Sequence, residues 1–190
     1  IGVLREHGEA AGRTRTFTIA DEDLQRTVLY RTRQGLHIDD AGLGNLLSNL
    51  SRFRRDLRVS RDEHLAPSLR DILRAYEAEL LANNLVDFDD LIFLVHDLFR
   101  DREDILSVYR ERHRHLLVDE FQDTDREQYG IVRLLSEQHR SLFVVADDEQ
   151  SIYAWRNADP ENITRLQRDF PETGRPIVLT QNYRSSEEIL

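Results

Sequence analysis

Along the first 114 residues, apolar positions recur at helical spacing. Leu43, Leu46, Leu47, Leu50 and Phe53 fall at i, i+3, i+4, i+7 and i+10, and Leu69, Ile72, Leu73, Tyr76 and Leu80 repeat the pattern. That spacing lines each set along one face of a helix. A further helix is predicted after Asp87, whose carboxylate can accept from the free backbone N–H groups ahead of Leu91, Leu94, Val95 and Leu98. Ile105, Val108 and Tyr109 predict another, and Phe17-Thr18-Ile19 a short strand before a helix capped by Asp21.

From about residue 115 the period changes. Leu116-Leu117-Val118, Leu142-Phe143-Val144-Val145-Ala146 and Ile177-Val178-Leu179 are short unbroken apolar runs, as expected of strands buried on both faces of a parallel sheet. Tyr129, Val132 and Leu135 mark a helix between the first two runs. Asp159-Pro160 opens one between the second and third, leading into Ile163, Leu166 and Phe170. The predicted order is β-α-β-α-β with right-handed crossovers.

Polar clusters follow all three runs: Asp119-Glu120-Phe121-Gln122-Asp123-Thr124, Asp147-Asp148-Glu149-Gln150-Ser151 and Thr180-Gln181-Asn182-Tyr183-Arg184. Parallel strands would set all three on one rim, where open α/β sheets bind ligands. An apolar strand ending in Asp-Glu suits nucleotide hydrolysis, with the first carboxylate holding magnesium and the second polarising the attacking water. Taken alone, a pair of acids reads first as the opening turn of a helix, where the dipole favours negative charge; the neighbouring motifs reverse that order.

Composition narrows the choice. With 190 residues, 39% of them hydrophobic, the chain can bury one core, or one core and a small satellite. Its apolar stretches fall far short of the roughly 20 residues that span a bilayer. The absence of cysteine excludes a disulfide framework or thiolate metal site and suits a cytoplasmic setting. A net charge of −10 excludes coating nucleic acid by bulk electrostatics, so any such contact is local. All 26 basic residues are arginine, and the phosphate-binding signature G-x-x-x-x-G-K-[ST] needs a lysine, so the chain contains no such loop. Ile1 at one end and the helix-like opening Ser185-Ser186-Glu187-Glu188-Ile189-Leu190 at the other read as cuts in a longer chain. The dense basic cluster Arg52, Phe53, Arg54, Arg55, Arg58 and Arg61 reads either as a surface for DNA phosphates or as a solvated helix face. His113 and His115 flank Arg114 and suggest either a metal site or alternation at a strand entry.

Leu116 to Thr124 resembles the Walker B motif, helicase motif II, of the UvrD/Rep family of superfamily 1. Val144 to Arg156 resembles motif III, Gln181 to Ser185 motif IV, and Asp87-Phe88-Asp89-Asp90-Leu91 the helix start before motif II. Ala146 and Glu149 depart mildly from the family's Gly and Asp. The resemblance implies a parallel-sheet RecA-like motor core of the P-loop NTPase type, incomplete here. It divides the chain into a mostly helical 1B-like subdomain over 1–84 and a partial motor domain 1A over 85–190. The implied activity is ATP-dependent DNA unwinding with 3′-to-5′ polarity, as in DNA repair, using ATP and Mg2+ on single-stranded DNA and single/double-strand junctions. By the same resemblance Asp119 is the magnesium carboxylate, Glu120 the catalytic base, Gln150 the γ-phosphate sensor and Arg184 an arginine finger. Tyr183 stacks on adenine, Trp155 and Tyr153 face DNA, and Arg156 links the DNA groove to the ATP site. The P-loop and the second motor domain would lie outside this chain. Two other readings stand beside it: a catalytically inert helicase-like module that binds DNA or a partner, and a metal-dependent phosphoesterase built on Asp119, Glu120, Asp147 and Asp148.

Overall fold

In a computed structural model of the chain, the described residues are 1–32, 40–59, 67–147, 158–173, 175–181 and 183. Helices dominate the first part. After α1 (Gly2–His7) and a 3-10 turn, β1 (Thr18–Ile19) leads into α2 (Glu22–Thr32), α3 (Asp40–Val59) and α4 (Pro67–Ala82). Asp21 caps α2 as predicted, its Oδ1 accepting from the Leu24 N–H at 2.9 Å. The two periodic stripes meet in one cluster: Leu46 and Leu50 of α3 pack with Ile72, Leu73, Tyr76 and Leu80 of α4 and Val28 and Leu29 of α2.

Next come β2 (Leu85–Val86), α5 (Asp90–Asp101) and α6 (Glu103–Arg112). β2 lies parallel to β1, with Thr18 opposite Leu85 and Ile19 opposite Val86. Successive strand residues face opposite ways, and here that alternation separates two cores. Leu85 joins the cluster of α2, α3 and α4, whereas Val86 joins a second cluster with Leu4, Phe17, Val95, Leu98, Phe99, Leu106 and Tyr109. Residues 1–19 therefore pack with the later part of the chain, and the helical insertion lies between β1 and β2.

The remaining elements are β3 (Leu116–Val118), α7 (Arg126–Ser136), β4 (Leu142–Val144) and α8 (Glu161–Asp169). β3 and β4 form a second parallel pair, and Ile131, Leu134 and Leu135 of α7 pack onto the second cluster. Two expectations fail here. Neither strand is buried on both faces: the facing residues Leu117 and Phe143 are 76% and 61% exposed, because no described element covers that side. Ile177-Val178-Leu179 is no strand but exposed chain without regular structure. Its apolar composition supplies propensity, yet a strand also needs a neighbour's N–H and C=O groups, and among the described residues none pairs with it. The fold is thus a mixed α/β core with small parallel sheets. Among the described residues no helix is long and apolar enough to cross a membrane.

Candidate functional site

The β3–β4 register, Leu116 with Leu142 through Val118 with Val144, brings the Asp119–Thr124 cluster and Asp147 out at one end of the pair. Pairing continues past the strands, as the Val145 N–H donates to the Val118 carbonyl at 2.8 Å and the Phe121 N–H to the Val145 carbonyl at 3.0 Å. Between them the chain turns at Glu120, whose backbone is left-handed, φ 49° and ψ 42°. For a residue with a Cβ that conformation costs of order 1–3 kcal/mol and needs surrounding structure to hold it. Phe121 supplies that anchor: it is fully buried and meets Tyr129 edge to face at 6.0 Å. The Glu120 N–H donates to Asp119 Oδ1 at 3.0 Å, and the Asp123 N–H to the Glu120 carbonyl at 2.9 Å.

Asp119 and Glu120 therefore stand side by side on an exposed rim. Among the described residues Asp119 has no cationic partner, and no group of three or more metal-ligating side chains occurs. That donor set fits magnesium, which commonly takes one or two carboxylates and completes its shell with water and substrate phosphates. Gln122, buried under the rim, donates from Nε2 to Glu120 Oε2 at 2.6 Å and accepts the Asp147 N–H on Oε1 at 3.0 Å.

The turn rests on two further supports. Asn162 of α8 is buried, and its Nδ2 reaches the carbonyls of Thr124 and Asp125 at 3.0 and 3.1 Å. Asp125 caps α7 reciprocally with Gln128: its Oδ1 accepts the Gln128 N–H at 2.7 Å while its own N–H donates to Gln128 Oε1 at 3.0 Å. Arg55 of α3 then reaches Asp125 at 3.1 Å, Glu127 at 2.7 Å and Asp89 at 3.3 Å. Burial pushes the Asp125 carboxyl above the usual range, outweighing the Gln128 N–H and Arg55.

Among the described residues, most of the basic cluster is tied to acids. Arg54 is 2% exposed and ion-paired to Asp87 at 2.6 Å and Asp90 at 2.5 Å, Arg55 is held as above, and Arg58 pairs with Asp97 at 2.6 Å. Arg54 and Arg55 turn inward onto the acids at the start of α5 and α7, whereas Arg58 stays exposed beside Asp97 of α5. Arg52 is exposed beside Phe53, and Arg61 lies outside the described residues. The two histidines have separate partners: His113 stacks on Tyr109 at 6.2 Å and His115 Nδ1 bonds Ser141 Oγ at 2.7 Å. Tyr183 is 87% exposed, its hydroxyl donating to Gln181 Oε1 at 3.1 Å. Gln150, Tyr153, Trp155, Arg156 and Arg184 lie outside the described residues.

A family model described as the UvrD/REP helicase N-terminal domain matches residues 1–171. This chain belongs to the UvrD/Rep helicase family. It is 39% identical over 198 residues to the ATP-dependent DNA helicase PcrA of Leuconostoc citreum, and 39% over 197 residues to the ATP-dependent DNA helicase Rep of Escherichia coli strain K12. Against PcrA of a Staphylococcus epidermidis strain the identity is 34% over 199 residues. Each match covers all of this chain but 26%, 29% and 27% of the relative, so the chain spans about a quarter of their length. Within the UvrD/Rep pattern, the sequence singled out Asp119 and Glu120, gave no role to Gln122 or Asn162, and read Arg55 as part of a surface cluster where the fold ties it to Asp89, Asp125 and Glu127. No periodicity marks those three, since their partners lie on other elements.

Proposed function

We propose that the chain is part of an ATP-driven DNA translocase, an incomplete RecA-like motor domain carrying motifs II, III and IV with a 1B-like helical insertion. The observation that carries this is the parallel β3–β4 pair delivering Asp119-Glu120 and the Asp147 segment to one rim, in a chain of the UvrD/Rep family. The packing favours assigning the insertion to 20–85, with 1–19 joined to the motor part. In this reading magnesium with ATP supplies charge neutralisation at the phosphates. Asp119 holds the hydrated ion, and Glu120 takes a proton from the attacking water. Gln150 and Arg184 face the γ-phosphate, Tyr183 stacks on adenine, and Trp155 and Tyr153 provide stacking faces for single-stranded DNA, with Arg156 between groove and ATP site. The motion is 3′-to-5′ along single strands and at duplex junctions.

The test is Glu120→Gln in the helicase-length protein that carries these residues. The amide keeps the shape and removes the base, so nucleotide binding persists while kcat drops about 100-fold or more. An unchanged kcat would remove Glu120 from the mechanism.

A further inference from the structure

Gln122 is 3% exposed, and both ends of its amide are engaged across the gap between the two strand ends. Nε2 donates to Glu120 Oε2 at 2.6 Å, and Oε1 accepts the Asp147 N–H at 3.0 Å. The partners fix the amide's orientation, because a flipped group would set its oxygen against a carboxylate and its NH2 against an N–H. Few side chains can serve here: a glutamate of equal length cannot donate, and a methionine can do neither. Glu120 itself is exposed and sits on a left-handed turn, so nothing in its own packing selects a rotamer. A charge-assisted hydrogen bond from a buried donor does. The donor is in turn fixed by the buried Phe121 beside it and by the backbone at the end of β4.

We propose that Gln122 is a positioning residue that holds the Glu120 carboxylate in register with the backbone of Asp147, and so with the segment that follows β4. This deepens the reading of Glu120 as the base and rests on it. A carboxylate released from Gln122 points away from the water for part of the time, while the nucleotide is bound as before. Loss of the link therefore lowers kcat and spares KM.

Steady-state ATPase of Gln122→Met, Gln122→Glu, Glu120→Gln and the Glu120→Gln/Gln122→Met pair, in the helicase-length protein, tests this. Gln122→Met is expected to lower kcat about 10- to 100-fold, the scale of a misplaced reacting group, with the KM for ATP within about threefold. Gln122→Glu keeps length and burial and sets a second carboxylate against Glu120, so it lowers kcat at least as far; it also serves if the methionine variant does not fold. The double variant is expected to match Glu120→Gln alone, because a positioning residue has nothing left to position. Unchanged kcat in both Gln122 variants beside a disabled Glu120→Gln overturns the positioning role and leaves the base intact. So do losses that multiply in the double variant, or a KM that rises together with a sharp fall in melting temperature. A Glu120→Gln variant at full rate instead overturns the reading of the site itself.

Discussion

Arg54 shows how a residue that sequence spacing cannot place becomes central. It lies on α3 but reaches across to Asp87 and Asp90 at the start of α5, while the Tyr76 hydroxyl donates to Asp87 at 2.9 Å and Arg13 stands 3.8 Å from Asp90. Burial alone would lower the Arg54 pKa; the two carboxylates outweigh it and raise it. Such a pair contributes little over an apolar substitute of equal volume, yet removing one partner strands the other. Arg54→Ala is therefore expected to cost about 3–5 kcal/mol near neutral pH. Burial already pushes the Asp90 carboxyl up. In the variant it protonates more readily still, and the deficit shrinks as pH falls. Urea denaturation at pH 7 and pH 5 measures this, and a deficit under about 1 kcal/mol at pH 7 would rule out Arg54 as a buried counter-ion.

Among elements, α5 is where charge and packing are most closely joined. Its inner face carries Phe93, Val95, Leu98 and Phe99, while Asp97 on the outer side receives Arg58 at 2.6 Å and Arg100 at 3.0 Å. Burial raises the Asp97 pKa, but His96 Nδ1 at 3.5 Å and the hydrogen bond from Arg58 outweigh it and bring the carboxyl to about 2, against an ordinary 3.8. A carboxyl held lower in the fold than in the unfolded chain contributes stability that is full above pH 3.8 and is lost as pH falls through about 2. Asp97→Asn is thus expected to cost about 1 kcal/mol at neutral pH, reduced by partial solvent screening. The gap from the parent should close between about pH 4 and pH 2. Melting temperatures across that range decide it: a gap that persists at pH 2 would mean that Asp97 acts through packing. The helices were legible because their stripes bury themselves locally, as Leu73, Tyr76 and Leu80 do. The Ile177-Val178-Leu179 run was misread because a strand is defined by its neighbour.

At the scale of the whole molecule, the chain carries the Asp119-Glu120 pair proposed as the acidic half of a hydrolytic site and, lacking lysine, no phosphate cradle of the G-x-x-x-x-G-K-[ST] type. Without backbone N–H groups and a lysine for the β- and γ-phosphates, the purified 190-residue chain is expected not to hydrolyse ATP, with or without single-stranded DNA. Phosphate release at a DNA-stimulated rate, lost with Glu120→Gln, would contradict this.

The sequence by itself determined the helical stripes, the cap at Asp21, the Asp87 carboxylate that accepts the Asp90 N–H at 2.8 Å ahead of α5, the change of period near residue 115 and the Asp119-Glu120 pair at a strand end, because each is written within a few neighbouring residues. Only tertiary structure decided that Leu85 and Val86 feed two separate cores, that residues 1–19 pack with the elements after β2, and that Arg54 and Arg55 of α3 are internal ties. It also decided that one buried amide, Gln122, spans from Glu120 to Asp147. Those contacts join positions tens of residues apart, and their energy depends on which groups are removed from water together, a property of the packed chain and of no local stretch of it.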